Sequence, residues 1–531
     1  AADLFAADSA RAMGGPVLVL GDATASLQAR GDVVLGGVGD AGRVAVANYS
    51  GVTQDNGSRA AGTTWFSLWT ASTAVDLFSA GGDLSPGVSG PLNLSGSNLA
   101  PEQVQLQAGG RDLLQYWLYP SRFSAVAAQG NITFDRLSMQ DNTQDVLLLA
   151  PSASGRLDVL AGGGIFAQPG ATQIARSAAD TRVPGPFDPA FMAQVGDGSG
   201  SLTRPHHNLS VDGHSATPEA ALPLFAFGPN TPLSNLPGAL SPSRFYAVGG
   251  DIIGLQSGAQ RTLDRSGSQR TQFALFEAAG AVQMRAGRDI LGVSLTALNS
   301  TATDISVVEA GRDIVHLDAV VAGPGNLEVS AGRQLRQEDV GSIVTLGGIV
   351  QGDTRPGASV GLTAGNQQID FVALRARYLD PANLADPAQS LASQPGKAVK
   401  IYDKELKQWL QQRFGLAVDG AEALAAFDRL PSEQQRIFLR QVYYAELREG
   451  GREYNDRNGP RVGSYLRGRE AIATLMPDKD AAGATIQRTG DILMYGGAGV
   501  RTEAGGNIEL MAPGGQIVVG VQGVVPPASA G

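Results

Sequence analysis

The chain has 531 residues, among them 70 Gly, 28 Pro and no Cys, with a net charge of -10 and 17% charged residues. The lack of Cys excludes a disulfide framework, a thiolate zinc site and cysteine catalysis, and the acidic balance argues against nucleic-acid binding or docking on anionic lipid. Abundant Gly, few charges and 43% hydrophobic residues fit short strands and tight turns around a real core, not a disordered chain.

No apolar run is long enough to span a membrane as a helix. The opening AADLFAADSARAMGGP lacks the basic and apolar regions of a signal peptide, so an exported form would be a mature product or an internal fragment. A chain that must cross an envelope unfolded has reason to avoid thiols, which a periplasmic oxidant would lock into loops.

In chain order, a short motif recurs: a small residue, two turn residues, Asp or Asn, then an aliphatic. It reads LQARGDV at Asp32, FSAGGDL at Asp83, VAAQGNI at Asn131 and YAVGGDI at Asp251. It continues as MRAGRDI at Asp289, VEAGRDI at Asp313, SAGRQL at Gln334 and TEAGGNI at Asn507. QAGGRDL after Ala108 carries an extra Gly, and RTGDI before Ile492 is a weaker copy. The clearest neighbours lie 24 and 21 residues apart (Asp289 to Asp313, Asp313 to Gln334), the size of a solenoid coil.

Each copy reads as a strand leading into a corner. Val282, Met284 and Ala286 share one side of an extended segment, with Gln283 and Arg285 on the other. Gly287 is expected to permit a left-handed or strained turn, Asp289 to satisfy local backbone donors, and Ile290 to re-enter the core. One corner cannot bury its apolar row alone, but stacked copies can. The expected fold is an all-β, right-handed parallel β-helix. A leucine-rich horseshoe is excluded by the missing Leu frame, and a propeller by the short repeat.

Two segments interrupt the repeat. Residues 169–242, rich in Pro, Gly, Ser and Asn, are expected to form a long irregular loop. Residues 398–477 are expected to form an inserted α-helical subdomain, and all five Lys fall between Lys397 and Lys479. Val399, Tyr402, Leu406, Trp409, Leu410 and Phe414 have helical spacing, and Leu424, Phe427 and Leu430 give a second helix. Ser432 and Gln435 resemble a capping box opening a third helix, ended by Gly450-Gly451, and Tyr465, Ile472, Leu475 and Met476 continue the pattern. Coils are thus expected over 1–168, 243–397 and 478–531.

Few residues suggest chemistry. Asp32, Asp83, Asn131, Asp251, Asp289, Asp313 and Asn507 recur once per repeat, which marks structural corners rather than a catalytic pair. Arg30-Gly31-Asp32 spells an adhesion tripeptide, but the repeat frame accounts for it. Tyr116, Trp117 and Tyr119 offer either a sugar-stacking patch or a structural cap, and the cap is preferred. His206, His207 and His214 near Asp212 lack regular metal-ligand spacing and read as a solvated loop, with His316 as a wall residue. No catalytic, cofactor or metal site is assigned; GxGxxG and P-loop motifs are absent.

The AGGD, AGRD and AGGN corners resemble the β-helical shafts of filamentous-haemagglutinin-like exoproteins, secreted by the two-partner route in Gram-negative bacteria. FDRLPSEQQRIFLRQVYYAELREGGREY, YLRGREAIATLMP and GDILMYGGAGVRTEAGGNIELMAPGGQIVVGV are similar to a conserved, uncharacterised region of such exoproteins. The repeats and this block cover most of the chain, apart from the loop at 169–242. The family's amino-terminal secretion domain is not recognisable, which points to a carboxyl-side portion. The resemblance implies an outer-membrane transporter as secretion partner and an extracellular or outer-membrane-surface location. It also implies adhesion or aggregation through a host or bacterial surface receptor or glycan. The alternatives are a shaft that displays or delivers another segment, as in contact-dependent competition, and, more remotely, a glycan-active enzyme.

Overall fold

The computed structural model describes residues 17–35, 37–40, 62–65, 68–86, 103–108, 111–134, 145–167, 172–176, 178, 190–194, 200–203, 227–228, 231–264, 272–339, 341–365, 369–479, 482–486 and 489–521. They form a parallel β-helix of three walls with a helical subdomain on one wall. Wall A is a ten-stranded sheet in which each coil contributes one strand, from Thr24–Ala29 to Ile508–Met511. Walls B and C belong to one larger sheet, which Ile290–Leu298 and Ile314–Ala322 follow continuously from one wall into the next.

Identical register along the stack turns the sequence repeat into ladders. In wall A, Ala29, Ser79, Ala127, Ala161, Ala247, Ala286, Ala310, Ala331 and Ala364 are successive neighbours. Two residues earlier, Phe245, Met284, Val308, Val329 and Leu362 fill the wider part of the interior. In wall B, the aliphatic that closes the motif stacks as Leu84, Ile132, Ile165, Ile252, Ile290, Ile314, Leu335 and Ile492, all buried. Alternation puts these side chains inside and their neighbours outside, so one continuous core serves every coil.

This register corrects the motif frame in several copies. Ser79, Ala127 and Ala247, not Ala80, Ala128 and Val248, align with Ala286, so these corners hold one extra residue. Val248 is consequently 75% exposed. The copy after Ala108 is no corner: Ala108 pairs with Arg111 across an antiparallel hairpin of Gln103–Ala108 and Arg111–Tyr119. The copy ending at Ile508 enters wall A, where Ile508 faces Val360. The wall B corner of that coil is GGQI, with Ile517 beside Ile492.

The glycine that opens the corner has a reason other than the expected one. Gly287, Gly311 and Gly332 do not adopt positive φ, but a β-carbon on each would collide with the carbonyl oxygen of Val248, Gly287 or Gly311, respectively, in the coil before. Close backbone approach, not left-handedness, demands Gly here. Left-handed geometry instead marks the turn from wall B to wall C, at Gly254 (φ 69°), Gly292 (φ 60°) and His316 (φ 56°). His316 is therefore a turn residue with a β-carbon where its neighbours have none.

The interruptions lie between coils and leave the ladders intact. Thr172–Arg176, inside the expected loop, is a wall C strand, and Ser243–Ala247 resumes wall A. Between them, Ala190–Gln194 pairs antiparallel with Gly200–Thr203 and Gly62–Trp65. A hairpin of Ala259–Asp264 and Gln272–Glu277 is a further excursion.

The helical insertion splits a corner in two. Ala364-Gly365 opens the motif and Gly490-Asp491-Ile492 closes it, with residues 366–489 between. A β-carbon on Gly490 would lie 2.6 Å from the Gly365 amide nitrogen, so the chain returns to the point it left. Five helices are described: α1 (Phe371–Leu379), α2 (Asp403–Phe414), α3 (Gly420–Asp428), α4 (Ser432–Asn455) and α5 (Leu466–Leu475). The subdomain thus begins before residue 398. Its core includes Trp409, which packs edge-on against Phe414 and Phe427, and Phe438.

Two helix signals act differently from expectation. Pro431, not Ser432, is the N-cap of α4, and Gln435 Nε2 donates to the Leu430 carbonyl at 2.8 Å instead of closing a capping box. Gly450-Gly451 does not end α4, which runs to Asn455. A β-carbon on Gly450 would lie 2.8 Å from the Gly468 amide nitrogen, so this glycine lets α4 and α5 cross closely.

Candidate functional site

The recurring acidic corners are connected to one another through the stack. Asp32 Oδ1 accepts from the Asp83 backbone N–H at 2.8 Å, and Asp83 Oδ1 from that of Asn131 at 2.7 Å. Asn131 does the same for Gly164, Asp251 for Asp289, Asp289 for Asp313 and Asp313 for Gln334. Asp491 continues the row with Gln516 at 2.7 Å. Sequence separations across these bonds run from 21 to 51 residues, while the geometry stays the same. The carboxylates accept a backbone donor in a charge-assisted hydrogen bond, and the neutral Asn131 amide oxygen accepts in the same geometry, so the position calls for a short side chain with an acceptor oxygen, Asp or Asn.

Arg in the AGRD and AGRQ copies adds a second bond that repeat spacing alone does not reveal. Arg312 Nε donates to Asp289 at 3.1 Å, and Arg333 Nε to Asp313 at 3.1 Å, each reaching back one coil. In Arg30-Gly31-Asp32, the Arg30 and Gly31 carbonyls accept from Gly81 N and Ser79 Oγ, and Asp32 holds the next coil. Asn507 stands at another corner, its N–H donating to Ser359 Oγ at 3.1 Å.

The aromatic group divides. Tyr119 is 2% exposed, its hydroxyl donates to the Pro86 carbonyl at 3.0 Å, and its ring meets Phe123 edge-on at 5.3 Å. It belongs to the core and offers no surface for sugar stacking. Tyr116 and Trp117 lie in the strand beside Val146 and Leu147, and their side chains fall outside the described residues. His206, His207, Asp212 and His214 also lie outside them. Among the described residues, no group of His, Asp or Glu has the arrangement of a metal site, and no helix is long and apolar enough to cross a membrane.

The densest buried chemistry lies where helix α4 meets wall A. Glu328, Gly361 and Glu509 are successive neighbours on the outer face of wall A. Arg440 lies across them, donating to both Glu328 oxygens at 2.6 Å and to Glu509 at 2.8 Å. A β-carbon on Gly361 would come within 2.6 Å of Glu328 and 2.9 Å of Arg440, so the missing side chain makes the seat for the guanidinium. Burial disfavours the charge of Arg440, but the two carboxylates outweigh it and raise its pKa.

Nearby, Arg285 bridges Glu309 of wall A to Glu433 of α4. Burial alone would raise the pKa of Glu433; hydrogen bonding to its own backbone and Arg285 reverse that and lower it. Tyr444 Oη donates to the Leu510 carbonyl, while Ile305, Val307 and Met511 add apolar contact from the wall. Between the wall and the helices remains a cavity of about 230 Å³. An open groove of about 370 Å³ adjoins it at Glu309. None of these residues forms a sequence motif; the Lys-rich composition signalled the helices but not the surface they cover.

A second buried cation, Arg176, sits where the chain returns from the long excursion. It is 2% exposed, donates to the Gly155 and Ser241 carbonyls, and burial lowers its pKa to about 10 against the pull of Asp158. No protein-family model, no curated protein and no solved structure matches the chain.

Proposed function

We propose that the chain is a secreted, non-enzymatic β-helical exoprotein that mediates adhesion or aggregation at the surface of a Gram-negative bacterium. In this reading an outer-membrane transporter of the two-partner type passes the unfolded chain outward, and it folds coil by coil outside. The observation that carries the reading is the corner row: carboxylates that recur along the stack are engaged by the next coil's backbone and serve to build length. A long, stiff, thiol-free stack suits projection from a surface, and a fold that extends by adding coils suits folding as it emerges.

The test is to coat beads with the purified chain and measure their attachment to bacterial and host cells, with a polysaccharide turnover assay alongside. Saturable attachment that heat denaturation of the chain abolishes, without turnover, supports the proposal. Turnover of a polysaccharide, or attachment no better than that of albumin-coated beads, overturns it.

A further inference from the structure

We propose that the cleft between helix α4 and wall A binds a neutral oligosaccharide; this deepens the adhesive reading and rests on it for its biological setting. The cleft is the cavity of about 230 Å³, and at Glu309 it adjoins a groove of about 370 Å³ that runs along wall A and its corners. Taken together they fall within the range of roughly 300–1,000 Å³ usual for small-molecule sites.

The chemistry of its walls points to the ligand. On wall A, Glu309, Ser330 and Thr363 are successive neighbours, so a polar row runs beneath the helices where apolar residues would pack better. Opposite stand Phe371 and Arg436. Arg436 and the Thr363 hydroxyl are half-buried and make no hydrogen bond among the described residues, so both are open to a ligand's hydroxyls. Glu309 and Glu328 are fixed by Arg285 and Arg440 and retain lone pairs for further donors. Carboxylates and guanidinium groups with an aromatic ring match a sugar, whose hydroxyls both donate and accept and whose C–H face is apolar. Because acidic and basic side chains nearly balance here, the cleft has no excess charge to attract a polyanion or a polycation.

The probes are neutral hexasaccharides (maltohexaose, cellohexaose, chitohexaose and mannohexaose), with a heparin hexasaccharide as the acidic comparison, titrated calorimetrically into the full chain. At least one neutral probe is expected to bind, and Arg436→Ala and Thr363→Val are each expected to weaken it about tenfold or more, the scale of one lost hydrogen bond to a charged or buried group. Both positions are only partly buried, and thermal unfolding of each variant checks that the fold is kept. The proposal is overturned if no neutral probe binds, if both variants bind as the parent does, or if the acidic probe is preferred. Bead attachment that survives in the double variant sinks the cleft and spares adhesion. Oligosaccharide binding by a chain that does not attach to cells does the reverse.

Discussion

At the corners, Gly311 and Gly292 are both glycines for reasons that substitution can separate. A β-carbon on Gly311 would strike the Gly287 carbonyl oxygen of the neighbouring coil, whereas one on Gly292 meets nothing within 4 Å. Gly292 has φ of 60°, the region that Asn tolerates, and His316 occupies the equivalent turn one coil later. Gly311→Ala should therefore cost about 1–3 kcal/mol through forced displacement of packed backbone. Gly292→Asn should cost less than about 1 kcal/mol, since Asn loses little there and Gly itself is entropically costly. Denaturant midpoints of the two variants decide the matter, and equal losses would remove the distinction. The motif was legible at this scale because small residue, Asp and aliphatic each return in order. The physical role of its first Gly was not, because the clash that selects it involves a residue from another coil.

Arg440 is the test case among the contacts that join one element to another. It is almost fully buried between Glu328 and Glu509, and removing one partner from such a group leaves uncompensated charge, at a cost of about 3–5 kcal/mol. Arg440→Met should therefore loosen α4 from wall A and expose the amides of Ile508–Met511 to hydrogen exchange. Adding Glu328→Gln and Glu509→Gln should recover much of the loss, because neutral amides need not be paired with a cation. Exchange that stays slow in Arg440→Met would show that Ile305, Val307 and Met511 hold the subdomain without the ions. The existence of α2, α3, α4 and α5 follows from apolar spacing, but that of α1 does not. Its buried residues, Leu374, Tyr378 and Leu379, are too few, in a helix of nine residues, to make a long stripe. Gly450 was misleading for a related reason, since a glycine that ends a helix and one that admits a second helix look alike in sequence.

The whole molecule separates a constant stack from variable excursions, which is why the period of the sequence is irregular although the coils are regular. Corner bonds span 51, 48, 33, 38, 24 and 21 residues, yet the wall B ladder keeps its register from Leu84 to Ile492. Composition and repeat made the parallel β-helix legible; the cleft was not, since its polar row and Arg436 come from segments far apart that only docking brings together. The split corner allows this separation to be tested. Deleting residues 366–489 and joining Gly365 to Gly490 writes Ala-Gly-Gly-Asp-Ile, the spacing of Ala286 to Ile290, across ends that already touch. The shortened chain should keep its β-structure by circular dichroism. It should also aggregate, because Ile305, Val307 and Met511 lose their cover and become an exposed apolar patch on wall A. Replacing these three with Thr, a good strand former, should restore a soluble monomer by light scattering. If the substituted chain instead loses the protection of Ile492–Tyr495 and Ile517–Val521 in hydrogen exchange, the helices are required to form the last coils, and the insertion is a folding element, not an addition to a finished stack.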